Sequence, residues 1–157
     1  MKHILFDMDD TLVYHKKYRT YDTIKEDKQL TYLLQLIKHP KYVYTNATYS
    51  HANVIANKLK IDHLFTKIYS RDTIPTMKPD INSAISLEKD IQMIHQQTYD
   101  HTYYFFDDLL ENLKSVKERG WITIWISPNF EEKYRYPFLD YAYPSVKIAL
   151  IQLHKLF

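Results

Sequence analysis

The sequence contains no cysteine and a single glycine. Without cysteine, the chain cannot form disulfide bonds, thiolate metal sites or a cysteine nucleophile. Neither a glycine-rich phosphate loop nor a G-x-S-x-G nucleophile turn occurs. Any catalytic chemistry must therefore come from other side chains.

Long apolar segments are also missing. At the N-terminus one lysine, Lys2, precedes only three apolar residues, at positions 4–6, which is far too short for a signal peptide. No later run approaches the roughly 18 apolar residues of a membrane span. We therefore expect a soluble, cytoplasmic protein without a membrane partner.

Neither sign of charge dominates the chain. The 21 lysines and arginines nearly balance the 19 aspartates and glutamates, for a formal charge of +2. This balance does not indicate nucleic acid as a partner, and it does not rule it out. With 157 residues, 45% of them hydrophobic, the chain can close one sizeable core, and we predict a single domain over residues 1–157.

Short apolar runs alternate with stretches of helical period, a pattern that predicts an α/β fold. The strand-like runs are residues 4–6, 42–44, 68–69, 103–106 and 122–126. Helices are predicted around residues 30–37, 51–59, 81–94, 109–119 and 145–156. Because some strands are apolar on both faces, we predict a central, mostly parallel sheet between two helical layers. The loops at the carboxyl ends of these strands are the expected place for chemistry.

The first such loop carries three carboxylates within four positions. Asp7, Asp9 and Asp10 directly follow the first strand, and Thr11 completes the run D-x-D-x-T. Two carboxylates at this spacing can divide labour, since one attacks or binds metal while the other transfers a proton. Such close anions repel each other, so we expect a divalent cation to keep them ionised. An acidic turn that caps a helix is the alternative.

Two further loops offer groups that suit a phosphoryl oxygen. Thr45 and Asn46 follow the second strand and supply a hydroxyl and an amide, although a plain helix cap would use the same residues. Lys78 precedes Pro79, which suits the first helical position, and Asp80, which suits a helix N-terminus. The Lys78 ammonium could neutralise an attacking carboxylate and a phosphoryl group, unless it is an ordinary solvated lysine.

A second acidic pair, Asp107 and Asp108, follows the most apolar strand. If this strand lies beside the first, the pair would face Asp7 and Asp9 and complete an all-oxygen cage for Mg²⁺. The eight histidines show no H-x-x-x-H spacing, which argues against a zinc site.

The four loops, in this order, resemble the motifs of the haloacid dehalogenase-like (HAD) superfamily. The resemblance spans residues 7–112 and implies a three-layer, Rossmann-like HAD fold and an Mg²⁺-dependent phosphatase. By this resemblance, Asp7 forms an aspartyl-phosphate, and Asp9 protonates the leaving oxygen and then activates water.

The resemblance also implies how the other motif residues act. Thr45 and Asn46 would grip the phosphate and Lys78 would steady both charges, and Thr11 of the first motif is predicted to bind substrate as well. Mg²⁺ would be held by the Asp7 side chain, the Asp9 backbone carbonyl and Asp108, with Asp107 close by and Asn112 more remote.

Within the superfamily, residues 45–79 look like the branch that contains pyrimidine 5′-nucleotidases. Two departures stand out. Leu109 occupies a position where Ser or Thr is common, and only 34 positions separate Thr11 from Thr45. This interval leaves residues 13–30 as a short flap, so the cap should be minimal or absent. Residues 14–21 of the flap are basic and aromatic, a composition that suits contact with a base and a phosphate but equally suits a solvated loop.

We therefore expect an Mg²⁺-dependent phosphomonoester hydrolase that acts on a nucleotide or a similar small phosphorylated metabolite. The open site leaves two alternatives, a phosphatase for phosphoproteins or nucleic-acid ends and a non-catalytic binding module on the same scaffold. A homodimer whose second subunit encloses the substrate is a further arrangement. We expect Trp121, Trp125, Tyr141 and Tyr143 to pack against the sheet edge or a helix.

Overall fold

The computed structural model describes residues 1–15, 20–96 and 100–157. The described residues form one central sheet, whose strands are β1 (Lys2–Phe6), β2 (Lys41–Tyr44), β3 (Lys67–Tyr69), β4 (Thr102–Asp107), β5 (Ile122–Ile126) and β6 (Tyr141–Tyr143). The strand order is β3-β2-β1-β4-β5-β6, and every neighbouring pair is parallel. The predicted parallel sheet is confirmed.

Five α-helices of the described chain cover both faces of this sheet: α1 (Lys28–Leu36), α2 (Tyr49–Leu59), α3 (Ile81–His95), α4 (Leu110–Lys117) and α5 (Val146–Leu153). The buried apolar residues of α1, α2 and α5 belong to one core cluster, and those of α3 and α4 belong to a second cluster. The sheet therefore lies between two helical layers, as the alternation of strands and helices predicts.

Each central strand supplies both cores, because successive side chains of a strand point to opposite faces. In β1, Ile4 and Phe6 join the α1, α2 and α5 cluster, whereas Leu5 joins the α3 and α4 cluster. The rings of Phe6 and Phe106, on adjacent strands, stack with their centroids 4.7 Å apart. Burial on both faces explains why these strands read as continuous apolar runs.

Polar side chains fix where several helices begin. Four N-cap residues accept a hydrogen bond from a backbone N–H of the first helical turn, at Asp27, Thr48, Asp80 and Ser145. Such a cap satisfies a donor that the helix itself leaves unpaired. Asp27 has a second role, because Lys147 Nζ of α5 donates to its Oδ2 at 2.9 Å and joins α5 to α1.

Two details differ from the sequence-based prediction. Tyr141 and Tyr143 belong to the edge strand β6, which the apolar pattern did not reveal because it is only three residues long. Pro79 is not the first helical residue, since α3 begins at Ile81 and Asp80 is its N-cap; the Lys78–Pro79 peptide is cis. Trp121 and Trp125 are buried, as predicted.

The segment between β1 and α1 shows how little cap the protein has. Within the part of this segment that the structure describes, the only helical element is a 3₁₀ turn, Tyr21–Thr23. The predicted minimal cap is confirmed, while residues 16–19 of the predicted flap lie outside the described residues. Among the helices that the structure describes, none is long and apolar enough to cross a membrane.

Candidate active site

The loops predicted to carry the chemistry meet at the carboxyl end of β1. Here the strand order changes direction, with β2 and β3 on one side of β1 and β4 to β6 on the other. β1 lies between β2 and β4, and Phe6 is in register with both Val43 and Phe106. The Asp7 backbone N–H donates to the Phe106 carbonyl at 2.8 Å, which places Asp7 beside Asp107. The reversal point at the carboxyl edge of such a sheet forms a natural crevice.

Lys78 joins the two sides of this crevice. Its Nζ donates to Asp7 Oδ1 at 2.8 Å and to Asp107 Oδ2 at 2.7 Å. The Lys78 side chain is only 2% exposed, and its Nζ lies 5.1 Å from the Tyr44 ring centroid and 5.0 Å from that of Phe105. The reading of Lys78 as a solvated surface lysine is therefore wrong.

The charged groups of this cluster change one another's pKa values. Burial would lower the pKa of Lys78, but the Asp107 and Asp7 carboxylates outweigh it and raise that pKa above its usual value. Burial raises the pKa of Asp7 to about 7, with Lys78 opposing the shift and Asp107 adding to it. Burial and the charge of Asp107 likewise raise the pKa of Asp108 to about 6. The cluster therefore has too little positive charge for its carboxylates.

This deficit fits a divalent cation. Asp7, Asp107 and Asp108 each offer an oxygen, and these oxygens lie within 4.8 Å of one another. When ionised, the three carboxylates face the single ammonium of Lys78, and a group of oxygen ligands with excess negative charge suits Mg²⁺. A bound cation would also lower the raised pKa values of Asp7 and Asp108.

Within the part of the chain that the structure describes, Asp107 accepts more hydrogen bonds than Asp7 or Asp108. Besides Lys78, it accepts the Leu109 backbone N–H at 2.7 Å and Asn112 Nδ2 at 3.0 Å. Asn112, which the sequence reading placed as more remote, is thus in direct contact with the acidic cluster. These donors orient Asp107 and compensate for its complete burial.

The second loop is tied to the third through Asn46. Its Nδ2 donates to the Lys78 carbonyl at 2.8 Å, and its Oδ1 accepts the Lys78 backbone N–H at 2.9 Å. The Asn46 side chain therefore holds the main chain of Lys78, while its contact with a phosphate stays a prediction. Thr45 is 2% exposed, and its Oγ1 accepts the Ala47 backbone N–H at 3.1 Å.

Thr11, which the sequence predicts to bind substrate, lies in the interior of the protein. It is fully buried, and within the described part of the chain its hydroxyl has no hydrogen-bond partner. No atom of Thr11 is exposed to an incoming substrate, so direct contact remains a prediction that would require the loop to open.

Asp9 lies in a different environment from Asp7. His15 Nε2 approaches Asp9 Oδ1 to 2.5 Å, and His51 Nε2 approaches the same oxygen to 2.8 Å. Tyr21 hydroxyl is hydrogen-bonded to Nδ1 of His51. The Asp9 carboxylate thus contacts two imidazoles, whereas the Asp7 carboxylate contacts Lys78 and lies beside the second acidic pair.

Residues 14–21, which include His15 and Tyr21, are predicted only as a basic and aromatic segment that suits a base and a phosphate or a solvated loop, and no pattern in the sequence links them or His51 to Asp9. A search for paired histidines at helical spacing misses His15 and His51 because they come from two separate segments, the connection between β1 and α1 and the first turn of α2. The only available signal was topological, since the loop after β1 and the start of α2 lie at the same edge of the sheet.

Comparison with known proteins supports the fold. No protein-family model matches the sequence, and no curated protein matches it. Among solved structures, a HAD phosphatase from Thermococcus onnurineus is similar with a TM-score of 0.67 and 14% identity, over 99% of this chain and 97% of that one. A haloacid dehalogenase-like family hydrolase from Streptococcus pneumoniae has a TM-score of 0.63 and 15% identity, over 96% and 97% of the two chains.

A longer protein shares the same core. The L-2-haloacid dehalogenase from Xanthobacter autotrophicus is similar with a TM-score of 0.61 and 11% identity, over 86% of this chain but only 63% of the dehalogenase. At these identities the likeness concerns the fold alone. The chain therefore has the α/β fold of the haloacid dehalogenase-like hydrolases, in a small form without a large cap.

Proposed function

We propose that the protein is an Mg²⁺-dependent phosphomonoester hydrolase in which Asp7 is the nucleophile. The observation that carries this proposal is the position of Asp7 at the end of β1, with its Oδ1 2.8 Å from Lys78 Nζ and a second acidic pair beside it. A fixed ammonium next to a nucleophilic carboxylate can stabilise the charge of a phosphoryl group during transfer.

Two steps account for hydrolysis. In the first, an Asp7 carboxylate oxygen attacks phosphorus, the bond to the leaving oxygen breaks, and that oxygen takes the proton of the Asp9 carboxyl group. In the second, Asp9 accepts a proton from water as the water oxygen attacks phosphorus and the bond between phosphorus and the Asp7 oxygen breaks. Inorganic phosphate leaves, and Asp7 and the Asp9 proton are both restored.

Asp7, Asp107 and Asp108 would hold Mg²⁺, together with the Asp9 backbone carbonyl. When bound, the metal neutralises charge on the phosphoryl oxygens and on the clustered carboxylates. Lys78 holds Asp7 in place, and Asn46 fixes the main chain of Lys78. Thr45, next to Asn46 at the end of β2, is the hydroxyl proposed to contact the phosphate.

Phosphoryl transfer is favoured over dehalogenation by the chemistry of the acidic residues. A departing halide needs no proton, whereas a departing alkoxide does, and Asp9 supplies a group that can give one. A second acidic pair beside Asp7 brings more negative charge than Lys78 alone neutralises, which favours a bound divalent cation. Both features serve a phosphomonoester.

For the substrate, we propose a nucleotide or a similar small phosphorylated metabolite, in keeping with the resemblance of residues 45–79 to the pyrimidine 5′-nucleotidase branch. The minimal cap supports the alternative of a phosphate on a protein or at a nucleic-acid end. A panel of nucleotides, sugar phosphates, phosphopeptides and phosphorylated oligonucleotides separates these two classes by their kcat/KM values.

The nucleophile is tested with a generic aryl phosphate. Asp7→Asn should abolish turnover, because the amide cannot attack phosphorus, and EDTA should abolish the turnover of the unmodified protein. Asp62→Asn, at an exposed position, serves as the control and should retain full activity. Turnover by Asp7→Asn would refute the assignment.

A further inference from the structure

Two imidazoles contact the Asp9 carboxylate at the same oxygen. Oδ1 is 2.5 Å from His15 Nε2 and 2.8 Å from His51 Nε2. The Asp9 side chain is 30% exposed, and those of His15 and His51 are 46% and 25% exposed. This group thus opens to solvent, unlike the buried Lys78 cluster.

The local backbone explains how His15 returns to Asp9. Asp10 has a φ of 58°, in the left-handed region that aspartate tolerates better than most residues. The Leu12 and Val13 backbone N–H groups both donate to the Met8 carbonyl and close a tight turn. The His15 backbone N–H then donates to Asp10 Oδ1 at 3.1 Å, which places the imidazole next to Asp9.

His51 reaches Asp9 from the first turn of α2. Its backbone N–H donates to the Oγ1 of the N-cap residue, Thr48, at 3.2 Å. Its ring contacts partners at both nitrogens, because Tyr21 hydroxyl meets Nδ1 and Asp9 Oδ1 meets Nε2. The ring orientation is thus set from both sides.

Proton counting limits which groups can donate at Asp9 Oδ1. A carboxyl oxygen carries at most one proton, so two imidazole nitrogens at Asp9 Oδ1 require that at least one of them donates an N–H. If Tyr21 hydroxyl donates to Nδ1 of His51, the ring proton lies on Nε2 and points at Asp9. If His15 also donates through Nε2, Oδ1 only accepts hydrogen bonds, and the exchangeable proton of Asp9 is carried by Oδ2.

We propose that His51 and His15 are positioning residues that hold Asp9 through Oδ1 and direct its Oδ2 proton to the leaving group. This inference rests on the proposed function. It gives the reduced cap a role in orienting the general acid, since His15 and the Tyr21 partner of His51 both come from the segment between β1 and α1.

The test compares two esters that differ in their need for an acid. Nitrophenolate leaves readily without a proton, whereas an alkoxide requires one. The ratio kcat/KM includes only the steps through cleavage of the bond to the leaving group, so hydrolysis of the aspartyl-phosphate does not enter it. We expect His51→Leu to lower kcat/KM about 100-fold for an alkyl phosphate and less than about fivefold for 4-nitrophenyl phosphate.

Three further variants separate positioning from a loss of folding. His51→Gln keeps an N–H donor near the Nε2 position and should recover most of the alkyl phosphate activity. His15→Leu alters a half-exposed side chain, so it should fold normally and show the same selective loss to a smaller degree. His63→Leu, at a side chain that is 59% exposed, is the control and should leave both ratios unchanged.

The outcomes distinguish this inference from the proposed function. An unmodified protein that hydrolyses neither ester would overturn both. An active protein whose His51→Leu and His15→Leu variants lose the two activities equally, or lose neither, would overturn the positioning role alone. Selective loss for the alkyl ester with rescue by His51→Gln is the expected result.

Discussion

At the scale of single residues, Lys78 is the cation that bridges Asp7 and Asp107. Its Nζ is the only cation that the described structure places between Asp7 and Asp107. Replacing one partner of a buried ion pair leaves charge without compensation, at a cost of about 3–5 kcal/mol. Lys78 is therefore important for stability as well as for chemistry.

We predict that Lys78→Met abolishes aryl phosphate turnover and lowers the free energy of unfolding by about 3 kcal/mol, measured by urea denaturation. Added Mg²⁺ should recover part of the lost stability, since it neutralises the same carboxylates, but none of the activity. Lys114→Met, at an exposed position of α4, should change neither quantity.

His3 provides a residue-scale prediction remote from the active site. It is fully buried, with His101 Nδ1 at 2.7 Å from its Nε2 and the rings of His95 and Tyr103 each 5.2 Å away. Burial, reinforced by the neighbouring histidines, lowers the pKa of His3 from 6.5 to about 3. The folded state thus favours the neutral imidazole.

Because the unfolded chain binds a proton at His3 below pH 6.5 and the folded chain does not, folding should lose stability as the pH falls. The expected loss is about 1.4 kcal/mol per pH unit between pH 6.5 and about 3. His3→Phe should show a shallower decline in urea denaturation measured at pH 7 and pH 5. An equal decline in both proteins would contradict this assignment.

At the scale of elements, Asn46 links the loop after β2 to the loop before α3. Its two hydrogen bonds to the Lys78 main chain fix the segment from which the ammonium projects. We predict that Asn46→Ala lowers stability by about 1–2 kcal/mol and lowers kcat more than it raises KM, because Lys78 would be misplaced. Steady-state kinetics and urea denaturation measure both effects.

Asn57→Ala is the matched control for this prediction. Asn57 is exposed on α2, and its side-chain amide donates to Asn53 of the same helix. Its replacement should leave kcat and KM unchanged. If Asn46→Ala raises KM alone, the side chain binds substrate as the sequence suggests and does not act through Lys78.

The elements that the sequence predicts well are those whose signal is local. Apolar runs located the five strands β1 to β5, and the polar residues at their carboxyl ends include Asp7, Thr45 and Asp107. The hydrogen bonds of Asn46 to Lys78 join residues 32 positions apart, and no local pattern reports such a contact. The contact of His51 with Asp9 is likewise invisible to local patterns, because the two residues are 42 positions apart.

Weak local signals explain the other differences. β6 has only three residues, and a run of that length is ambiguous by periodicity. Pro79 suits a first helical position in general, but here Asp80 takes the cap and delays the start of α3 to Ile81. The position of His15 next to Asp9 depends on the left-handed backbone conformation of Asp10. Residues other than glycine seldom adopt this conformation, so the sequence does not predict it.

At the scale of the whole molecule, metal binding should be visible as stability. A ligand that binds only the folded state adds about 2.7 kcal/mol at one hundred times its dissociation constant. We predict that Mg²⁺ raises the Tm of the protein and that Asp108→Asn largely removes this rise. Asp62→Asn, exposed and distant in sequence from the acidic cluster, should respond to Mg²⁺ like the unmodified chain. An identical rise in Asp108→Asn would exclude Asp108 as a ligand.

One hydrogen bond gives the protein a built-in optical reporter. Trp125 Nε1 donates to the Asp108 carbonyl at 2.9 Å, whereas the other tryptophan, Trp121, donates to Glu88 at 2.7 Å. Indole emission responds to the polarity around its N–H group. A cation that binds the Asp108 carboxylate should therefore change the fluorescence of Trp125. A Trp121→Phe variant would isolate that signal and allow metal titrations without an attached dye.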